Sequence, residues 1–433
     1  MSQPSSTART TITAASTAAE VDATVPRRNE WILVAFTILT NLADAVTKIA
    51  LPLLAVRLTD SPALVAAVAV LITLPWLTTA LHIGVFVDRL DRRTLMVWAE
   101  VTRIAAMAIL LGAVLTGVIN LPLIYMVGFG LGVAEVTALT SAASIVPSAV
   151  PRSRWQTVSA RVTAMEYLCN GFLGAPLGGF LVAAGFALAL GTTGVVYVLG
   201  AALLLLLVGN FSVSSGQRRR SVSVEIKDGL RFLWRTKLLR TMALLIAVMA
   251  GCWSAWLAII PAYAVSGPLG LSERQFGLLM TALGAGGVVG ATLTGPINRL
   301  LGRRWSMFAD IIGSFLLVAV PAVVPASPSS AVLVAAAAFI AGVGGTMWTV
   351  NARVIIQSSV PNHMLGRFNA ASRLVGWGMT PVAALIAGVL AQTVTYRFAF
   401  GVFAAVCICL VIPYLRVVTD SALAVADQPE PSM

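Results

Sequence analysis

Four ionisable side chains fall deep inside long apolar runs of this 433-residue chain: Asp44 and Lys48 in one run, Glu135 in another and Glu166 in a third. A charge at the centre of a bilayer costs on the order of 2.5–3.5 kcal/mol on insertion scales, so each of these groups is a functional candidate by default. A carboxyl in such a place can bind and release a proton as water reaches it from alternate sides, which is the chemistry of coupling a proton gradient to other work. Glu135 has no basic residue at helical spacing and ranks first as proton carrier, with Asp44 second and Glu166 third. Asp44 and Lys48, four residues apart, share one helix face and are expected to attract each other there, either as working groups or as a pair that fixes its helix. Arg103 follows Glu100 by three residues and could pair with it. Glu100, Asp310, Arg161, Arg353 and Arg373 lie close to helix ends, where snorkelling or loop contacts are expected. Asn41, Asn170 and Asn351 could orient a bound molecule through hydrogen bonds, and Trp256, with Trp76, Trp253, Trp348 and Trp377, could wall a cavity or simply pack.

The elements that must hold these groups follow from composition. With 58% apolar and 11% charged residues, against roughly 45–50% and about 25% in a soluble domain, the chain needs lipid around it. Runs of about 20 apolar residues, each long enough to cross a bilayer as a helix, occur at 31–57, 62–87, 95–117, 121–146, 158–184, 187–211, 240–265, 275–297, 305–325, 331–357, 369–392 and 397–417. They lack the alternation of a barrel strand, so the fold class is an all-α membrane protein with twelve transmembrane helices. Of the 29 Lys and Arg, 21 fall on the side of both termini and three (Arg57, Arg274, Arg397) on the other, which places both ends in the cytoplasm of a multi-pass protein of the cell membrane.

The domain reading is a disordered cytoplasmic tail at 1–30, six helices at 31–211, a linker at 212–239, six helices at 240–417 and a cytoplasmic tail at 418–433. The long first apolar run with no small-residue cleavage site reads as an uncleaved helix. In the linker, Ile226, Leu230, Leu233 and Trp234 recur at helical spacing apart from Lys227, Arg231 and Arg235, which predicts an amphipathic helix at the membrane interface. Cys169, Cys252, Cys407 and Cys409 all sit in apolar runs and read as packing residues; neither metal nor disulfide spacing is present. His82 and His363 fall in different halves, and no Gly-rich nucleotide loop occurs. No cofactor, no metal, no nucleic acid and no enzymatic chemistry are expected, and any work would draw on an ion gradient.

A repeat at an offset of 210 pairs Asp88 with Asn298, Arg89 with Arg299, Arg93 with Arg303, Glu100 with Asp310, Pro151 with Pro361 and Gly178 with Gly388. Two pseudo-symmetric six-helix bundles follow, and parallel repeats of this kind place a cavity between them near mid-membrane.

The loop Gly84-Val85-Phe86-Val87-Asp88-Arg89-Leu90-Asp91-Arg92-Arg93 resembles the loop signature of the major facilitator superfamily, with Asp91 where a second Gly is usual. The resemblance implies a conformational latch made by Gly84, Asp88, Arg89, Arg92 and Arg93, with a weaker second copy at Asn298 and Arg299 that lacks the acid. The run from Gly171 to Gly179 resembles the antiporter motif of drug exporters with its Pro displaced by one, so Gly174, Pro176, Gly178 and Gly179 are hinge candidates, or mere close packing. From Trp31 to Arg416 the chain resembles the twelve-helix drug-exporter branch that includes macrolide, tetracycline and siderophore efflux proteins. That likeness implies the major facilitator fold, with helices one, four, seven and ten lining a cavity toward which Asp44 and Glu135 would face, and Asn41, Lys48, Asn170, Asn351 and Trp256 among its residues. It further implies a monomer in membrane lipid that exports a small amphipathic organic compound by proton antiport. Proton-coupled import of a small metabolite on the same fold is the alternative.

Overall fold

The computed structural model describes residues 6–209, 211, 222–361 and 364–426, so the linker segment 212–221 and the tail 427–433 lie outside it. Among the described residues twelve helical spans form two bundles of six. The first bundle holds α1 (Ser6–Val56), α2 (Pro62–Thr78, continued by Ala80–Arg89), α3 (Arg92–Thr116), α4 (Leu121–Ala149), α5 (Arg152–Ala184) and α6 (Phe186–Leu205). The second holds α7 (Lys237–Ser266), α8 and α9 (273–301 and 303–323), α10 (Ala331–Ser359), α11 (Leu365–Thr393) and α12 (Tyr396–Val417). The first helix begins at Ser6, well before the apolar run. The stretch expected to be a disordered tail is therefore helical from that point, in a segment with several alanines, strong helix formers, and no glycine.

Local sequence sets the helix ends. Ser61, Asp91, Asn120 and Thr395 each accept a backbone N–H of the first turn of α2, α3, α4 and α12. Ser272 and Gln275 form a reciprocal capping box that starts α8. Spans eight and nine, expected as two separate runs, continue into one another through a sharp bend at Gly302, whose φ of 81° is the left-handed conformation that suits a residue without a Cβ. Pro75 lacks an amide hydrogen, and α2 breaks four residues later at Thr79. In α5 the run Tyr167–Leu173 winds as a π-helix that runs into the Gly-rich motif and takes in its first three residues.

The core is unevenly shared. Its largest part joins the two bundles, drawing Leu51 and Leu53 from α1, Ala66 and Val68 from α2, Ile259 and Ile260 from α7, Phe276 from α8 and Ala384 from α11. Nearer the face that carries the chain ends, each bundle has a separate small core: Leu33, Phe36, Met96, Ile145 and Leu204 in the first, Leu239, Ala243, Val360 and Phe368 in the second. The helix Val222–Arg235 of the linker does not leave its apolar side to lipid alone: Leu233 is buried, Phe232 meets Phe368 edge-on, and a Cβ on Gly229 would lie 2.2 Å from the Arg367 carbonyl oxygen. Trp234 on the same helix stays exposed. Cys169, Cys252 and Cys407 are buried as expected, whereas Cys409 is exposed.

Candidate functional site

Five ionisable groups meet inside the first bundle. Glu135 lies midway along α4, fourteen residues from Leu121 and fourteen from Ala149, so about 20 Å from either end. Asp44 and Lys48 come from α1, Glu100 and Arg103 from α3. The Arg103 guanidinium spans two carboxylates: Nη1 donates to Glu100 Oε1 at 2.5 Å and Nη2 to Asp44 Oδ2 at 2.9 Å. Tyr197 of α6 donates its hydroxyl to the other Asp44 oxygen, Oδ1, at 2.8 Å, and the guanidinium lies 5.5 Å from the Tyr197 ring centre. Lys48 Nζ donates to Glu135 Oε1 at 3.0 Å. Gly200 on α6 permits this closeness, since a Cβ there would already sit 3.3 Å from Thr40 Oγ1 and 3.4 Å from Glu100 Oε2.

Burial grades along the cluster. Glu100 and Arg103 side chains are 0% and 1% exposed, Asp44 is 14%, Glu135 is 18% and Lys48 is 44%. Three acids face two bases, so the fully ionised set carries one uncompensated negative charge. In a medium of low dielectric, neutralising that charge with one proton is worth far more than it would be in water.

The pairing differs from the expectation in two respects. Asp44 and Lys48 share a face of α1, but Asp44 turns to Arg103 and Lys48 to Glu135. Glu135 therefore has a cation partner, which sequence neighbours could not reveal because it stands 87 residues away. Glu100 and Asp310, expected to snorkel or to make loop contacts, are instead buried, Asp310 at 3% exposure. Arg161 does stay near the surface, where it and Arg154 (2.8 Å) both pair with Glu30. Glu166 is half-buried at the entry to the π segment.

Of the cavity candidates, Asn41, about one turn before Asp44 on α1, accepts a hydrogen bond from Asn170 of α5. Asn351 is used elsewhere: it exchanges hydrogen bonds with Asn298 (2.8 and 3.2 Å) and donates to Ser306 and to the Met347 carbonyl. Trp256 is wholly buried in the shared core and lines no open space. Both were singled out by polarity or size, neither of which says which way a helix is rotated.

Of the latch candidates, Arg92 and Arg93 make contacts within the first bundle. Arg92 donates to Ser148 Oγ at the end of α4, Arg93 to the Leu205 carbonyl at the end of α6, and Asp91 caps α3. The side chains of Asp88 and Arg89 lie outside the described residues, Gly84 has open space around it, and Arg299 is exposed.

The hinge glycines bring backbones together. A Cβ on Gly174 would overlap Ala45 of α1 at 2.1 Å, and one on Gly178 would meet Ile49 at 3.1 Å. A Cβ on Gly179 would lie 2.4 Å from the Gly277 Cα of α8, so this contact crosses between bundles. Pro176 is half-buried beside them. On the same face, away from the chain ends, Arg57 pairs with Glu273 at 2.7 Å, Ser61 donates to Gln392 at 2.7 Å, Arg274 stacks on Phe180, and Gly388 abuts Ala66. The sequence reading missed this seam, although Arg57 and Glu273 flank the loops of that face. The bundles are thus sealed at one face around a polar cluster that grades outward to Lys48.

A family model described as Major Facilitator Superfamily matches residues 33–373 and 254–431. Among curated relatives, the multidrug efflux pump Tap of Mycolicibacterium fortuitum is 27% identical over 386 residues, covering 84% of this chain and 90% of that protein. The enterobactin exporter EntS of Salmonella typhimurium is 27% identical over 321 residues, covering 69% and 74%. Among solved structures, the nucleoside transporter NupG superposes with a TM-score of 0.67 at 11% identity, over 91% of this chain and 99% of that one. A bacterial homologue of the iron transporter ferroportin, in an inward-facing state, gives 0.67 at 16% identity over 90% and 99%.

Proposed function

The chain belongs to the Major Facilitator Superfamily and is a membrane transporter rather than an enzyme, and on that premise we propose that it exports a small amphipathic organic compound in exchange for protons. The single observation that carries the proton reading is the surplus acid of the Asp44–Lys48–Glu100–Arg103–Glu135 cluster. Export as the direction rests on the likeness to efflux proteins over most of the chain and on the Gly-rich helix α5 at the seam.

The face bearing the chain ends is cytoplasmic by its excess of Lys and Arg. The seam of Arg57, Glu273, Gly179 and Gly277 then closes the outer face, and cargo enters from the cytoplasm beside the exposed Lys48. When the bundles rock and the outer seam opens, a proton arriving from outside binds Glu135 and frees Lys48 from its partner. Lys48 and Asn41 with Asn170 are the groups that would hold cargo. One guanidinium offsets only one of the two charges of Asp44 and Glu100, so the surplus proton of the cluster is shared with that pair. Glu135, the most exposed of the three acids at 18%, is the first choice for the exchanging acid and Asp44 the second.

Everted membrane vesicles test this directly. Glu135→Gln is expected to abolish proton-driven export while leaving the protein folded; undiminished export by that variant would refute the assignment. A susceptibility panel of macrolides, tetracyclines, phenicols and siderophores, read on deletion and overexpression strains, finds the cargo class. Counterflow in the same vesicles separates export from import.

A further inference from the structure

Among its described residues the second bundle contains one buried acid that the mechanism above does not use. Asp310 of α9 is 3% exposed. Its Oδ1 accepts from Ser314 Oγ at 3.2 Å, one turn on, and Ser314 Oγ in turn accepts from Trp253 Nε1 of α7 at 2.8 Å. No Lys, Arg or His among the described residues pairs with it. The elements packed around it offer no charge: α10 presents Gly344, whose Cβ would lie 2.6 Å from the Asp310 Cα, and Gly345, whose Cβ would lie 3.6 Å from Oδ1. α7 and α12 contribute the thiols of Cys252 and Cys407, which donate to the carbonyls of Phe403 and Ile311. An ionised carboxylate with one hydroxyl donor and no cation in this setting is costly.

One ring forms part of the cover over Asp310. A Cβ on Gly345 would touch Trp253 Cζ2 at 3.3 Å, so the indole lies over the gap that Gly345 leaves beside the carboxyl. Trp253 belongs to α7 and Gly345 to α10, two different helices of the bundle.

We propose that Asp310 is a proton-binding site separate from the Asp44 cluster, capped by Trp253 in the conformation seen here and opened to water when α7 shifts against α10. On opening, the O–H bond breaks, the proton passes to a water molecule and the carboxylate is hydrated; on reclosing, the reverse occurs. The ligand is a proton, and the transport cycle then moves two protons through two bundles. This holds for an importer as well as for an exporter, so its fate is independent of the direction and cargo argued above.

Infrared difference spectroscopy on the full-length protein in lipid bilayers reads the acid itself. A carbonyl band of a protonated carboxylic acid that shifts in heavy water is expected, absent in Asp310→Asn and displaced in Ser314→Ala. The same band in wild type and Asp310→Asn would overturn the proposal; if Asp310→Asn does not fold, an unmoved band in Ser314→Ala does so. Exchange during the cycle is read by spin labels at Leu58→Cys and Val394→Cys in a Cys409→Ser background, which report opening of the seam face as pH changes. Wild type is expected to titrate more steeply than Asp310→Asn, and equal steepness would show that this proton never leaves.

Discussion

The two bundles share a fold but divide their chemistry. At the repeat offset, Asp44 of the first bundle corresponds to Ser254, Lys48 to Ala258, Glu100 to Asp310, Arg103 to Gly313, Glu135 to Gly345 and Tyr197 to Cys407. Where the first bundle builds an ionic network with a guanidinium at its centre, the second keeps one acid and replaces the rest by small or apolar residues. The difference decides helix packing as well as charge. A Cβ on Gly313 would lie 2.8 Å from the Ala341 Cα, so α9 and α10 lie too close there for anything like the Arg103 side chain. Arg103 holds open a site in one bundle that its counterpart closes in the other, and a buried network of this kind specifies a conformation more than it adds stability.

Removing the centre of the network should break the contrast most severely. Arg103→Met leaves Glu100 and Asp44 buried without a counter-charge, a loss of roughly 3–5 kcal/mol that purified protein should show as a much lowered melting temperature or failure to express. Adding Glu100→Gln and Asp44→Asn to Arg103→Met removes the stranded charges, and most of the stability should return. If the triple variant is no more stable than the single one, the network owes its role to shape and not to charge.

The seam between the bundles predicts a smaller effect. Gly179→Ala places a methyl 2.4 Å from the Gly277 Cα, backbone against backbone, and overpacking of this kind costs about 1–3 kcal/mol. Because the cost falls on the closed seam alone, it should appear as a shift of about fivefold or more toward the open seam, measured by thiol labelling at Leu58→Cys. Gly130→Ala, with open space around it, is the control and should shift nothing.

The spans were legible in the sequence because an apolar run of bilayer length has few other fates, and the repeat was legible because charged and Pro positions recur at one offset. The site was legible by half. Asp44, Lys48 and Glu135 stand out as charges in apolar runs, and Glu100 with Arg103 as a helical neighbour pair. Who pairs with whom was not, since Arg103 reaches Asp44 across 59 residues and Lys48 reaches Glu135 across 87, and those contacts depend on helix rotation and not on spacing. Depth misled in the same way: Glu100 and Asp310 lie near span ends in sequence, but neighbouring helices cover them. The meeting of Gly179 with Gly277 was equally hidden, because a lone glycine at the start of α8 carries no signal until its partner helix is known.

The smallest effect is expected at the Arg57–Glu273 pair, and it sharpens the comparison by showing what an exposed charge pair does in the same molecule. The Arg57 side chain is 58% exposed and Glu273 16%, so water screens the attraction and long side chains must be ordered to make it; such pairs are worth about 0.2–1 kcal/mol. Glu273→Gln should therefore move the open-to-closed ratio of the seam by less than about sixfold, and the shift should shrink further in high salt. It should leave the melting temperature of the protein nearly unchanged, in contrast to Arg103→Met, where the same kind of bond is sealed from solvent. A shift as large as that of Gly179→Ala would mean that the seam is held by this ion pair and not by backbone contact between α5 and α8.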